Sequence, residues 1–213
     1  MHLWTLITSF GDAGLMVPTA VIIAVWLYAA QGRVAALLWC ALFVSAGLLV
    51  TATKIAFLGF GLGIHRFNFT GISGHSMMSM AVFPVALVLL GGASPRSRWI
   101  LVPLGAGIAA MVALSRLVIH AHSLSEVLSG MAVGASVAGL FFLLAKLPPA
   151  RARNLPFVSF CLAMIFLAGY GRPAPSQDLV TRAALVLSGR DHPYTKKEWY
   201  DEGWRKAAQK REI

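Results

Sequence analysis

The chain has 213 residues, 58% of them hydrophobic and only 12% charged, with a mean hydropathy of +0.73. A soluble domain carries about a quarter charged residues, so this composition excludes a disordered chain, a coiled coil and an ordinary cytosolic globule, and points to a protein whose solvent is mostly lipid. The net charge of +10 is spread singly through loops or gathered in a tail; that distribution makes no nucleic-acid surface, and anionic lipids or a phosphorylated substrate explain its sign better.

A helix crosses the hydrocarbon layer with about 20 mostly apolar residues. Residues 1–11 have no basic segment and run on into an apolar stretch, which reads as an anchor rather than a cleaved signal. Spans are expected at 15–30, 34–53, 76–92, 99–113 and somewhat beyond, 124–145 and 155–170. None alternates apolar with polar residues as barrel strands do. Pro18, Pro84 and Pro103 lie inside or near span ends, where neighbouring helices in a bundle tolerate them. Cys40 and Cys161 both sit in apolar runs and can build neither a disulfide framework nor a cysteine zinc site. The expected fold is therefore all-α: a polytopic membrane bundle of about six transmembrane helices over residues 1–171, followed by a C-terminal extramembrane tail at 172–213.

Six spans put both termini on one side. The loops after the first, third and fifth spans carry Arg33, Arg96, Arg98, Lys146, Arg151 and Arg153, against Lys54, Arg66 and Arg116 after the second and fourth. That asymmetry assigns the first group to the cytoplasm. The expected location is a bacterial inner membrane, with the loops after spans two and four on the periplasmic or extracytoplasmic side. The tail would share that side; its nine basic residues are offset by six acids. Thr195 and Glu198 have the spacing of a capping box before a helix. Trp199, Tyr200 and Trp204 among Lys196, Lys197, Arg205 and Lys206 suggest an amphipathic appendage at the headgroup layer; a lid is the alternative.

Ionisable residues at membrane depth are expensive and usually functional. The first 171 residues hold only two acids, Asp12 and Glu126, and five histidines. All of these except His2 and Asp12 fall in the loops after spans two and four or at the starts of spans three and five. The first cluster runs from Lys54 through a glycine-rich Gly59–Gly63 loop, His65 and Arg66 to Thr70-Gly71-Ile72-Ser73-Gly74-His75. The glycine-rich loop follows no strand, so a dinucleotide site is not expected. Ser73-Gly74-His75 opens an apolar helix, where free amides and the positive dipole end favour an anion; Ser73 also suits an ordinary N-cap. The second cluster is Ser115-Arg116, then His120, His122, Ser123 and Glu126. His122 and Glu126 are four apart and can touch on a helix face, and a carboxylate on one imidazole nitrogen makes the other a better nucleophile. Ser123 with Glu126 also has capping-box spacing, and a metal site of His120, His122 and Glu126 is a further alternative. Taken together, two histidines, one acid, three cations (Lys54, Arg66, Arg116) and no second carboxylate for a two-metal site suit a phosphate attacked without a metal.

At these residues the sequence resembles the type 2 phosphatidic acid phosphatase family, whose motifs are KxxxxxxRP, PSGH and SRxxxxxHxxxD. The third appears as Ser115-Arg116, five residues, His122, three residues and Glu126; the second as Ile72-Ser73-Gly74-His75. The departures are Ile72 for proline, Glu126 for aspartate, and a broken first motif: Gly61 stands seven residues after Lys54, and Arg66 twelve after it with no proline following. Either Arg66 fills the arginine role through a longer loop or that role is lost. The resemblance covers roughly residues 54–146. It implies that His122 attacks phosphorus to form a phosphohistidine, His75 protonates the leaving oxygen and then activates water, and Glu126 orients His122. Lys54, Arg66, Ser73, the Gly74 amide and Arg116 would hold the phosphate oxygens. It implies no metal and no cofactor, and inhibition by vanadate. His120 is no motif position. The expected activity is hydrolysis of a lipid phosphate or diphosphate. The alternatives are phosphotransfer between lipids on the same scaffold, or a non-enzymatic lipid-binding or transport protein with a degenerate site. Oligomeric state and lipid identity are not legible.

Overall fold

The structure, a computed structural model, describes residues 2–91, 95–145 and 176–201. Its helices are α1 (His2–Ser9), α2 (Ala13–Gln31), α3 (Arg33–Phe60), α4 (Gly74–Gly91), α5 (Pro95–Val118), α6 (Leu124–Leu144) and α7 (Ser176–Ser188), and no strand occurs among the described residues. Five segments, His2–Gln31, Arg33–Phe60, Gly74–Gly91, Arg98–Val118 and Leu124–Leu144, are long and apolar enough to cross a membrane. The protein is an all-helical membrane bundle, as its hydropathy requires. The expected sixth span at 155–170 lies outside the described residues.

Lys54 and Arg116, expected in loops, both stand on helices, and both matter for the site. The second span was expected to stop at residue 53, but α3 continues to Phe60. At about 1.5 Å per residue a helix of 28 residues is longer than the hydrocarbon layer is thick, so hydropathy falls before the helix ends. Lys54 therefore stands on α3, not in a loop. Gly61 ends the helix in the left-handed region at φ 65°, its amide bonded back to the Phe57 carbonyl at 2.8 Å. Likewise Arg116 lies in the last turn of α5. Of the glycine-rich stretch, Gly59 is buried on α3, and only from Leu62 does the chain run exposed into a 3₁₀ turn at His65–Phe67.

The centre of the bundle is α4. Met77, Ala81, Val82, Val85 and Val88 are all at most 2% exposed, packed among α2, α5 and α6. Outward-facing side chains of the other helices are apolar and exposed, among them Val34, Leu37, Leu48, Trp99 and Leu143, as a lipid-facing surface requires. Apolar burial does not hold helices together where the solvent is itself apolar, so close approach through small residues takes over. Gly130 and Gly134 on α6 supply it. A Cβ on Gly130 would lie 2.5 Å from the Ser73 carbonyl, and one on Gly134 would lie 2.3 Å from that of Met77. These glycines lock the start of α6, with Glu126, against the start of α4, with His75. The Ser73 amide completes the joint by donating to the Glu126 carbonyl at 3.0 Å.

The tail packs on the bundle instead of lying apart from it. α7 runs against α3, where Gly59 meets the Ala184 backbone closely. The capping box forms as its spacing predicts: Glu198 Oε2 accepts the Thr195 amide at 2.8 Å, and Thr195 Oγ1 accepts that of Glu198 at 3.2 Å. Trp199, expected at the headgroup layer, is 3% exposed. It stacks on His65 at 3.7 Å between ring centroids and meets the edge of Phe57. The pairing is with rings the sequence gives no means of assigning to it.

Candidate active site

α3, α4, α5 and the α5–α6 turn converge on one end of the bundle around a cavity of about 750 Å³. Its polar wall includes Lys54, Gly74, His75, Arg116 and His122, and its apolar wall Leu6, Phe57, Leu58 and Met78. A cavity with a cationic wall and an apolar wall fits an amphiphile with an anionic head.

His122 sits in the turn, not on a helix. α5 ends at Val118, and His120 adopts φ 55°, which reverses the chain. The amides of Ala121 and His122 then bond back to the Arg116 carbonyl at 3.0 and 3.3 Å. The spacing of Ser-Arg, five residues, His is thus the length of one helix end plus one tight reversal, and it returns His122 beside Arg116. Ser123 is the N-cap of α6 and Glu126 its third residue, with both arms of the capping box present. Capping and orienting are not rival roles here. Glu126 Oε2 accepts the Ser123 amide at 3.1 Å and also His122 Nδ1 at 2.8 Å. A carboxylate only accepts, so Nδ1 carries the proton and Nε2 keeps its lone pair. The other oxygen, Oε1, accepts the amide and the hydroxyl of Thr70. Glu126 is 1% exposed, so the loop before α4, the cap of α6 and His122 all hang on one buried carboxylate. Burial holds the His122 imidazole below its usual pKa, against the opposing pull of the Glu126 hydrogen bond and charge; the ring is neutral at neutral pH and available as a nucleophile.

The other expected residues divide. Lys54, Gly74, His75 and Arg116 line the cavity with His122. Ser73 does not: it is fully buried, and its hydroxyl accepts from the amide and hydroxyl of Ser76, the N-cap geometry. Arg66 is not brought to the cavity either. It lies exposed on the 3₁₀ turn, its guanidinium 5.8 Å from the centre of the Phe67 ring. The arginine that lines the cavity is Arg116. His120 is exposed, and among the described residues no three His, Cys, Asp or Glu side chains group as metal ligands, so the alternative His120–His122–Glu126 site does not assemble.

Two groups at the cavity, and one that reaches Glu126 from outside it, were not expected from the sequence. Thr5, Thr8, Ser9 and Asp12, on α1 and the turn after it, line the cavity, and Thr8 Oγ1 accepts Arg116 Nη1 at 3.0 Å. Gln177 at the start of α7 lines it too, and its carbonyl oxygen accepts Lys54 Nζ at 2.9 Å. Lys196 Nζ reaches Glu126 Oε1 at 3.5 Å. Nothing in the local sequence of α1 or the tail signals these contacts; they depend on helix packing across 70 to 123 residues.

The model of the PAP2 superfamily matches residues 59–147, which include the second and third motifs. A Klebsiella pneumoniae protein described as an uncharacterized 22.5 kDa protein in cps region is 38% identical over 207 residues, covering 94% of this chain and 99% of that protein. No solved structure matches. With its motifs at one end of an apolar helical bundle, the chain belongs to the PAP2 superfamily, a membrane protein with a phosphatase-type activity.

Proposed function

We propose that the protein hydrolyses a phosphate monoester or diphosphate of a lipid through a phosphohistidine intermediate, without a metal. The observation that carries this reading is the pairing of His122 Nδ1 with buried Glu126 at 2.8 Å beside a cavity shared with His75, Lys54 and Arg116. His122 Nε2 attacks phosphorus, and the Nε2–P bond forms as the bond from phosphorus to the lipid oxygen breaks. His75 gives its proton to that oxygen, and the lipid alcohol or lipid phosphate departs. Water then attacks phosphorus, its proton passing to His75, the Nε2–P bond breaks and inorganic phosphate leaves. Glu126 holds Nδ1–H throughout and stabilises the positive ring at each transfer. Lys54, Arg116 and the Gly74 amide, at the first turn of α4 where no carbonyl precedes it in the helix, surround the phosphoryl oxygens. The apolar wall of Leu6, Phe57, Leu58 and Met78 supports a lipid over a soluble sugar phosphate. The basic-residue asymmetry of the loops supports an extracytoplasmic site in a bacterial inner membrane.

The test is release of inorganic phosphate from purified protein in detergent, across a panel containing phosphatidic acid, phosphatidylglycerophosphate and undecaprenyl diphosphate. Turnover of at least one that vanishes in His122→Ala supports the reading. Transfer to a second lipid without phosphate release would make the protein a phosphotransferase, and turnover of none would remove the enzymatic reading.

A further inference from the structure

We infer that Asp12 is a positioning residue for the proton donor His75, a role resting on the phosphatase reading above. The turn Phe10-Gly11-Asp12 between α1 and α2 is wedged against α4 and α5. Gly11 has no room for a side chain: a Cβ there would lie 2.5 Å from Val112 Cγ1, 2.8 Å from Ser79 Oγ and 3.3 Å from His75 Cβ. That approach brings Asp12 to the cavity. Its two oxygens are divided: Oδ1 caps α2, accepting the Gly14 amide at 2.7 Å, while Oδ2 stands 3.8 Å from His75 Nε2. The second distance is beyond a hydrogen bond, so the carboxylate acts on the ring through charge.

The charge has a use. Besides Asp12, the ionisable groups that line the cavity with His75 are Lys54, Arg116 and His122, all cationic or able to become so. The proposed first step therefore needs a proton on His75, for the departing oxygen, beside charges of the same sign. Asp12 is the carboxylate at ion-pair distance that favours the protonated ring. In the second step the same charge favours His75 taking the proton from water. Glu126 does this for the nucleophile on α6; Asp12 does it for the acid from the opposite wall.

The test separates capping from proton supply. Asn is as good an N-cap as Asp, so Asp12→Asn keeps the cap and removes the charge; Asp12→Ser is the second variant of the same kind. Each is assayed against pH on dioctanoyl phosphatidic acid, whose alkoxide needs a proton to leave, and on p-nitrophenyl phosphate, whose phenolate does not. The expected result is a loss in kcat/KM at least tenfold greater on the lipid than on the aryl ester. The alkaline limb of the lipid profile should also move to lower pH, and Asp12→Asn should have no further effect in a His75→Ala background. Equal loss on both substrates, an unmoved alkaline limb, or a full effect of Asp12→Asn in His75→Ala would overturn the assignment while leaving the phosphatase reading intact. Where phosphatidic acid is not turned over, the panel lipid that wild type hydrolyses takes its place; wild-type protein that hydrolyses none of them would count against both.

Discussion

Replacing Glu126 by Gln changes one oxygen for an amino group and almost nothing else in shape. The pocket has no place for that amino group. Toward His122 it faces two donors, Nδ1–H and the Ser123 amide; to bond the ring it must drive the ring proton to Nε2, which removes the lone pair that attacks phosphorus. Toward Thr70 it leaves the Thr70 amide without its acceptor and faces the Lys196 ammonium. In either orientation a buried donor loses its partner, at about 1–3 kcal/mol. The charge that stabilises the His122 imidazolium is lost in both. A hundredfold fall in rate corresponds to about 2.7 kcal/mol, and an orienting carboxylate at 2.8 Å is expected to exceed it. Glu126→Gln is therefore expected to lower kcat at least a hundredfold while KM changes less, with a melting temperature only a few degrees lower in detergent. Gln also serves in a capping box, so a carboxylate that merely capped α6 would leave kcat close to wild type. A kcat within threefold of wild type refutes the orienting role. Glu126→Asp is expected to fall between, since it keeps the charge and shortens the arm.

The remaining expectations concern single residues. Because burial keeps His122 neutral below the ordinary imidazole range, the acid limb of kcat/KM should lie below that range, and in Glu126→Gln, where the influence raising the ring's pKa is gone, residual activity should show it lower still; a limb at or above the ordinary range contradicts this. A methyl group on Gly74 would meet only Val50 Cγ1 at 3.6 Å and Met78 Cε at 3.9 Å, so Gly74→Ala should fold normally and lose activity only if phosphate approaches that amide; a stable, fully active variant removes Gly74 from the site. Arg66→Ala and Arg66→Lys should keep most activity on the lipid substrate, because the side chain lies over Phe67; a tenfold loss in both would restore Arg66 as a phosphate ligand.

The membrane bundle and both histidine clusters were legible because hydropathy and motif spacing are local signals. The limits were also physical. A hydropathy window ends where side chains become polar, but the backbone hydrogen bonds of α3 and α5 continue past it, so Lys54 and Arg116 were placed in loops. Glu126 looked like either a cap or an orienting acid because sequence shows a spacing, not two separate oxygens. Arg66 was drawn into the site by its charge and order, though a 3₁₀ turn leaves it outside. Asp12 and Gln177 reach the cavity, and Lys196 reaches Glu126, only through the packing of α1 and the tail on the bundle, and no periodicity encodes that. Trp199 was read from its neighbours as a headgroup residue, while the ring it needed, His65, lay 134 positions away.

The central claim is a covalent bond from phosphorus to His122, and the most direct measurement is rapid quenching of the protein during turnover of a ³²P-labelled lipid phosphate that it hydrolyses, followed by mapping of the label. An alkali-stable, acid-labile label is expected on the peptide carrying His122, absent in His122→Ala and chased into inorganic phosphate in wild type. Turnover in the same samples with no label on His122, or a label that persists in His122→Ala, would contradict the claim.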